Sequence, residues 1–153
     1  WRTPSAGYWG ADVALPNPAA DLRDFLTGKV AGTTTLTKGA NLFAGRLLSD
    51  ETVPATVVAL LNTGGPPAET YMGPERASYY QASVQVLVRG PARNIEAGET
   101  LARGVMGLLH QATITGYVQV LARDAQPVLL EVDSAGRGVW ACNVDADFTA
   151  SLP

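Results

Sequence analysis

Apolar and polar side chains alternate with a period of two over residues 79–89. The even positions form an apolar series: Tyr80, Ala82, Val84, Val86 and Val88. The odd positions are mostly polar: Gln81, Ser83, Gln85 and Arg89. Because successive side chains of a strand point to opposite faces, this pattern predicts a half-buried β-strand.

A helical period follows this strand, after the break at Gly90 and Pro91. Over residues 94–110 and just beyond, one side of the predicted helix is apolar: Ile95, Leu101, Ala102, Val105, Leu108, Leu109 and Ala112. Asn94 is placed to cap the helix, and Glu96 lies in its first turn, where the helix dipole favours an acid. We expect the apolar sides of this helix and of strand 79–89 to pack together as the core of the domain.

Three glycines interrupt the predicted helix, although each is worth about 1 kcal/mol less than alanine there. Gly98 falls on the apolar side, where the missing side chain would let the helix lie close to the sheet. Gly104 and Gly107 fall on the flank and the polar side. They are either tolerated surface glycines or points of close approach by another subunit.

The remaining elements are shorter. A helix is predicted at 18–29, a polar loop or edge strand at 33–40, strands at 42–48 and 55–61 flanking a turn at 49–52, and a long loop at 62–78. After the long helix, strands are predicted at 117–123, 128–133 and 140–149. This order predicts an α+β fold, with an antiparallel or mixed β-sheet and its helices packed on one face.

Composition excludes several classes of protein. The net charge of −3, without a Lys/Arg cluster, is unlike that of a dedicated nucleic-acid binder. Cys142 is the only cysteine, so no intrachain disulfide can form. No apolar run approaches the roughly 20 residues that span a bilayer. Since Trp1 is not a translated start, we expect the numbering to omit an initiator Met or a longer leader.

Two segments have the composition of contact surfaces. Residues 1–18, here called the N-terminal arm, carry Trp1, Tyr8 and Trp9 among prolines and glycines and precede a single domain at 19–153. Disorder is the alternative for the arm, but three large aromatics favour packing on its own domain or on a neighbour. We predict contacts with other chains at the following residues of the arm, the 62–78 loop and the strand end: Tyr8, Trp9, Tyr71, Met72, Glu75, Arg76 and Arg89.

Catalytic and metal-binding patterns are weak. His110, the only histidine, lies at a predicted helix end, where a surface or capping role is expected, and Cys142 lies on the apolar side of a strand. Glu131, Asp133, Asp145 and Asp147 could gather as a carboxylate group for acid–base chemistry or a divalent cation. The same alternation is typical of a solvated strand face, so we predict no catalytic, cofactor or metal site.

The run Gln85-Val86-Leu87-Val88-Arg89-Gly90, with the Ala/Leu-rich helix that follows, resembles the tail terminator family of long-tailed bacteriophages. These proteins are also called tail completion or minor capsid proteins. The matching element order extends over residues 21–152, with Arg89 and Gly90 at the closing position of the valine-rich strand. Pro91, Ala92 and Arg93 after the glycine, and the N-terminal arm, depart from the pattern.

The resemblance implies a structural virion protein without catalysis or cofactors. It implies a homo-oligomeric ring, a hexamer, that caps the tail tube, stops its polymerisation and joins it to the head-completion or connector protein at the neck. The genome would pass through such a ring without sequence-specific binding, no membrane would be involved, and the subunit would reside in the host cytoplasm during assembly. Two alternatives stay open: another neck or tail component, such as a connector adaptor or tail tube subunit, and an unrelated cellular α+β enzyme or ligand-binding domain.

Overall fold

The computed structural model describes residues 15–46, 54–71 and 77–151. Two helices lie among them, α1 (Pro18–Leu26) and α2 (Ile95–Leu109). The strands are β1 (Val30–Ala31), β2 (Thr34–Thr35), β3 (Leu42–Ala44), β4 (Val57–Gly64), β5 (Glu69–Thr70), β6 (Ala77–Arg89), β7 (Gln119–Ala122), β8 (Val128–Val132) and β9 (Gly138–Ser151). The predicted α+β class is confirmed.

A seven-stranded mixed sheet is built around the antiparallel pair β6–β9. Their register runs from Ala77 opposite Ser151 to Arg89 opposite Val139. β4 lies on the other side of β6, and β3 pairs with β4 in parallel at the outside. β5 also pairs with β6, whereas β7 and β8 both pair with β9. β1 and β2 form a separate small hairpin.

The core lies between the helices and one face of this sheet, as the two periodicities predicted. Asn94 caps α2 by accepting a hydrogen bond from the amide of Ala97. The buried side of the helix consists of Leu101, Ala102, Val105 and Leu109. It packs in one cluster with the even side of β6, which supplies Val84, Val86 and Val88. β9 adds Phe148, whose ring stacks on that of Tyr80 at 5.0 Å between centroids.

Two of the three helix glycines allow close contact within the chain. Gly98 faces Gly90 and the indole of Trp140, so the predicted close approach of helix and sheet is confirmed. A Cβ at Gly104 would lie 2.8 Å from the amide nitrogen of Gly32 in the β1–β2 hairpin. Gly104 is therefore neither a tolerated surface glycine nor evidence of a neighbouring subunit, because its own chain fills the space. A Cβ at Gly107 would meet no described atom within 4 Å.

α1 is fixed to the rest of the domain by hydrogen bonds at its N-terminal end. Its cap residue Asn17 accepts a hydrogen bond from the amide of Asn62 on β4, and Asn62 in turn accepts from the amide of Ala19. Tyr117, which precedes β7, donates its hydroxyl hydrogen to Asp21 at 2.5 Å. α1 starts at Pro18, so the last residue of the predicted arm belongs to the helix.

The predicted 62–78 loop is wrong in part. β4 continues to Gly64, β5 covers Glu69–Thr70, and β6 already begins at Ala77. The additional strand residues are polar, so the apolar pattern of the sequence did not predict them. Contacts with other strands provide their hydrogen bonds: Thr63 donates its hydroxyl hydrogen to the carbonyl of Ser83.

Two smaller predictions are corrected as well, and the prediction of a polar loop or edge strand at 33–40 is confirmed in its second form. Within the described residues, the predicted strand at 42–48 is a strand over Leu42–Ala44, and its parallel pairing with β4 rules out a hairpin between them. The predicted turn at 49–52 lies outside the described residues. The 33–40 segment contributes β2 to a hairpin. The 117–123 strand begins only at Gln119, which leaves Val118 60% exposed.

Candidate functional site

Most of the predicted contact residues lie outside the described part of the chain: Tyr8, Trp9, Met72, Glu75 and Arg76. Tyr71 is described and follows β5, where its amide donates to the carbonyl of Ala77. Its side chain is 54% exposed, which leaves the aromatic ring accessible. Contact at these residues stays a prediction.

Arg89 has a role within its own chain. Its side chain is buried, and the guanidinium donates through Nε to the carbonyl of Ala55 at 2.9 Å and through a terminal nitrogen to that of Pro54 at 2.7 Å. Burial, and then the nearby charge of Arg137, lower the pKa of this guanidinium. Arg89 therefore fastens the segment before β4 to the end of β6, and contact with another chain at this position stays a prediction.

The polar face of the sheet carries two of the four acids considered for a carboxylate group. Asp147 accepts hydrogen bonds from the hydroxyl of Tyr79 and the amide of Gln119, both at 2.7 Å to Oδ2. Asp145 accepts from the hydroxyl of Ser83 and pairs with Arg123 at 3.1 Å. Asp147 is only 3% exposed, so the interpretation of these acids as a solvated face is wrong at this position.

The other two acids lie near the far end of β9 and do not join that pair. Asp133 holds the β8–β9 turn, because its carboxylate accepts from the backbone amides of Ala135 and Arg137 and pairs with the Arg137 guanidinium at 2.6 Å. These hydrogen bonds hold the pKa of Asp133 below its ordinary value. Glu131 is exposed on β8. Over residues 15–46, 54–71 and 77–151, no group of three or more His, Cys, Asp or Glu side chains is placed to hold a metal ion.

The histidine and the cysteine have the roles that were expected. His110 is the C-cap residue of α2, is exposed, and accepts a hydrogen bond at Nδ1 from the amide of Ala122. Cys142 is buried, and burial, helped by the charge of Asp124, raises the pKa of its thiol to about 12. A thiol with such a pKa is almost wholly protonated at neutral pH and reacts slowly.

A surface that the sequence did not reveal lies along one edge of the sheet. One side of β9 is occupied by β6, so β8 and β7 follow one another along the other side. We call residues 118–132 the β7–β8 edge. Of the eight large apolar side chains that are exposed among the described residues, five lie on it: Val118, Val128, Leu129, Leu130 and Val132. No other described strand pairs with its outer side.

The exposure of β8, which the sequence did not predict, has a physical cause. In the predicted strand 128–133 the alternate residues Val128, Leu130 and Val132 share one side, which a half-buried strand would cover, yet every residue of β8 is exposed. The helices cover the sheet near β4, β6 and β9, whereas β8 projects at the margin beyond them. The one available signal was that Val128, Leu129 and Leu130 are consecutive apolar residues, which a strand with one solvated face does not need.

An open strand edge with apolar side chains is suited to bind another polypeptide rather than to perform chemistry. The acids described above are held by hydrogen bonds within the chain or stand alone in solvent. No helix in the described ranges has the length and apolar character required to cross a membrane. The described residues form a small α+β domain with an open, apolar strand edge.

Comparison with known proteins identifies the family. Residues 27–150 match the family model of the bacteriophage tail terminator protein. This match covers most of the chain, so the protein belongs to that family and is a structural protein of the phage tail, located in the virion. No curated protein matches the sequence.

Proposed function

We propose that this chain is the subunit of a ring that ends the tail tube and joins it to the head-completion or connector protein at the neck. The match to the tail terminator family over residues 27–150 carries this proposal. The ring contains six copies, is assembled in the host cytoplasm, and encloses a passage for the genome. In this proposal the subunit acts by binding its neighbours and performs no catalysis.

The geometry of the domain supports a ring because two candidate contact surfaces lie far apart. β8 pairs with β9 near Val139, opposite Arg89, whereas Tyr71 lies beside Ala77 at the other end of β6. Along β6, the β8–β9 pairing and Tyr71 are separated by about eleven strand residues, or about 36 Å at 3.3 Å per residue. The surfaces also lie on opposite sides of the β6–β9 pair. Two different surfaces on opposite sides are what a head-to-tail contact requires, and such contacts form a ring when the rotation between neighbouring subunits closes.

The predicted contact residues fit the second surface. Tyr71 is exposed at the end of β5, and Met72, Glu75 and Arg76 follow it in sequence. We propose that these residues, together with Tyr8 and Trp9 of the arm, bind the neighbouring subunit, the tail tube protein or the connector. Arg89 contributes by holding the 54–55 segment in place at the opposite end of the sheet.

Native mass spectrometry of the purified chain tests the ring. The expected result is a closed oligomer, with six copies as the main species and no open series of sizes. The same sample is diluted stepwise, since a closed ring dissociates to subunits without accumulating intermediates. A monomer at every concentration, both alone and with purified tail tubes added, would contradict the proposal.

A further inference from the structure

We infer that the β7–β8 edge of one subunit binds the N-terminal segment, residues 1–14, of a second copy of this chain. This inference rests on the proposed ring and names one of its contacts. Residues 1–14 precede Leu15, the first residue that the structure describes. Four observations about the described residues and the sequence support the assignment.

The first observation is that the edge is suited to bind an extended segment. The backbone of β8 pairs with β9 on one side only, so its outer amides and carbonyls are available to another chain. Natural edge strands are usually protected by charges or prolines. β8 has one charge, Glu131, beside apolar side chains that are 39–57% exposed. A peptide added as a further strand would satisfy the backbone and cover these side chains.

The second observation is the composition of the segment. Residues 1–14 contain Trp1, Tyr8, Trp9 and Val13, and only two charged side chains, Arg2 and Asp12. Tryptophan and tyrosine bury large areas at interfaces and lose little conformational entropy there. Arg2 also matches the edge in charge, since Glu131 has no ion pair among the residues that the structure describes.

The third observation is where the segment starts. Asn17 is hydrogen-bonded to Asn62 on β4, so the described residues begin on the β3–β4 side of the sheet, where residues 1–14 are joined to them. The β7–β8 edge lies on the opposite side, beyond β6 and β9. In a head-to-tail ring the β3–β4 side of one subunit faces the β7–β8 edge of the next. Fourteen extended residues reach up to about 50 Å, which is enough to lie along a neighbouring strand.

The fourth observation concerns the route within one subunit. To reach its own β7–β8 edge, the segment must cross one face of the sheet. Helices α1 and α2 cover the apolar face. The other face is polar at Gln81, Ser83 and Asp145. Its apolar residues lie nearer the end of β6 and are buried, namely Val57, Ala59, Val139 and Ala141, so this face offers two tryptophans and a tyrosine no exposed large apolar side chain. Binding to the neighbour avoids both faces, so the second copy is the favoured occupant.

Cysteine cross-linking between two full-length variants tests the inference. Tyr8→Cys and Leu130→Cys chains are purified separately, mixed, allowed to assemble and oxidised. The native Cys142 does not interfere, because it is 1% exposed and its thiol has a pKa of about 12. Val30→Cys replaces Leu130→Cys as the control, since Val30 is 57% exposed and Leu130 is 56% exposed, but Val30 lies on the β1–β2 hairpin. Trp9→Cys is tested in parallel with Tyr8→Cys, because adjacent strand residues point to opposite faces.

The expected result is a cross-linked dimer of position 8 or 9 with position 130, and none with position 30. A chain carrying both Tyr8→Cys and Leu130→Cys should give a ladder of covalent multimers that ends at the ring size. A cross-link only within single chains would overturn the inference, as would no cross-link at position 130 in wild-type-like oligomers. Monomeric wild-type protein would instead contradict the ring itself, so the two failures are distinguishable.

In a second measurement, Leu130→Asp should abolish the oligomer in native mass spectrometry, and Val30→Asp should leave it intact. Far-ultraviolet circular dichroism of both variants confirms that each is folded. An intact oligomer with Leu130→Asp would overturn the inference even if cross-linking succeeded, because the edge would then contribute nothing to assembly.

Discussion

Gly90 and Gly98 bring the end of β6 and the first turns of α2 into backbone contact. A Cβ placed on Gly90 would lie 2.5 Å from the Cα of Gly98, and one on Gly98 would lie 3.1 Å from both the Gly90 Cα and the Trp140 Nε1. Since Gly90 directly follows Arg89, the Arg-Gly pair that ends this strand has two structural roles. Arg89 fastens the segment before β4, and Gly90 admits the helix.

Gly90→Ala should therefore destabilise the fold by about 1–3 kcal/mol, because the added methyl group meets backbone that cannot move independently. Gly107→Ala is the matched control, since nothing lies within 4 Å of its added Cβ and alanine favours a helix by up to about 1 kcal/mol. Urea denaturation of both variants gives the two free energies. Equal stability of Gly90→Ala and wild type would show that the helix does not approach β6 so closely.

Leu109→Ala should reduce the free energy of unfolding by about 2–5 kcal/mol, because Leu109 is fully buried in the cluster that contains Val86. Arg103→Ala, on the opposite side of α2, should change it by well under 1 kcal/mol. Its side chain is 57% exposed and its ion pair with Glu99 is screened by solvent. Similar losses in the two urea titrations would show that the buried side of α2 is assigned wrongly.

Alkaline pH should destabilise the protein partly through Tyr117. Burial, followed by the hydrogen bond to Asp21, raises the pKa of Tyr117 above its ordinary value of 10.0. The unfolded chain then loses the phenolic proton first, so this stabilisation is complete below pH 10 and falls as pH rises above it. Unfolding free energies measured at several pH values from 9 to 11.5 should decline less steeply in Tyr117→Phe, by up to about 1.4 kcal/mol per pH unit. Part of the pH dependence should remain in Tyr117→Phe, because the hydrogen bond to Asp147 also raises the pKa of Tyr79. Wild-type and Tyr117→Phe curves with the same slope would contradict the raised pKa of Tyr117.

Replacing both Tyr71 and Met72 with serine should leave the thermal melting of the subunit unchanged within a few degrees. The reason is that Tyr71 is 54% exposed and its fixed contact is made by the backbone. Incorporation into particles, measured by immunoblotting of purified virions, should be lost if this surface binds a neighbour. Deletion of residues 1–9 should likewise leave the melting of the subunit unchanged and abolish its incorporation into particles. If these variants unfold instead, the segments belong to the core of their own domain, and contact with a neighbouring chain at these residues is contradicted.

The two long elements could be predicted from sequence because their burial follows directly from their periodicity. β6 and α2 each have one side covered by the other, so Val84, Val86, Leu101 and Leu109 fall where the pattern places them. The role of Gly98 followed in the same way, since a missing side chain on the apolar side of a helix indicates close packing.

Features that depend on distant partners could not be predicted. The strand character of Asn62 and Thr63 depends on α1 and on Ser83, which supply the hydrogen bonds of these polar residues. The packing of Gly104 depends on the β1–β2 hairpin, some 70 residues earlier in the chain. The exposure of β8 depends on where the helices end above the sheet. Local periodicity contains none of this information.

Electron microscopy of virions tests the central claim most directly. Particles are compared from infections with the intact gene, with a disrupted gene, and with the disrupted gene supplied with the protein in trans. A subunit that ends the tube and joins it to the head predicts a ring at the neck of intact particles. Without the protein, tails should vary in length and lack heads, and supply in trans should restore both properties. Normal attached tails of uniform length in its absence would contradict the account.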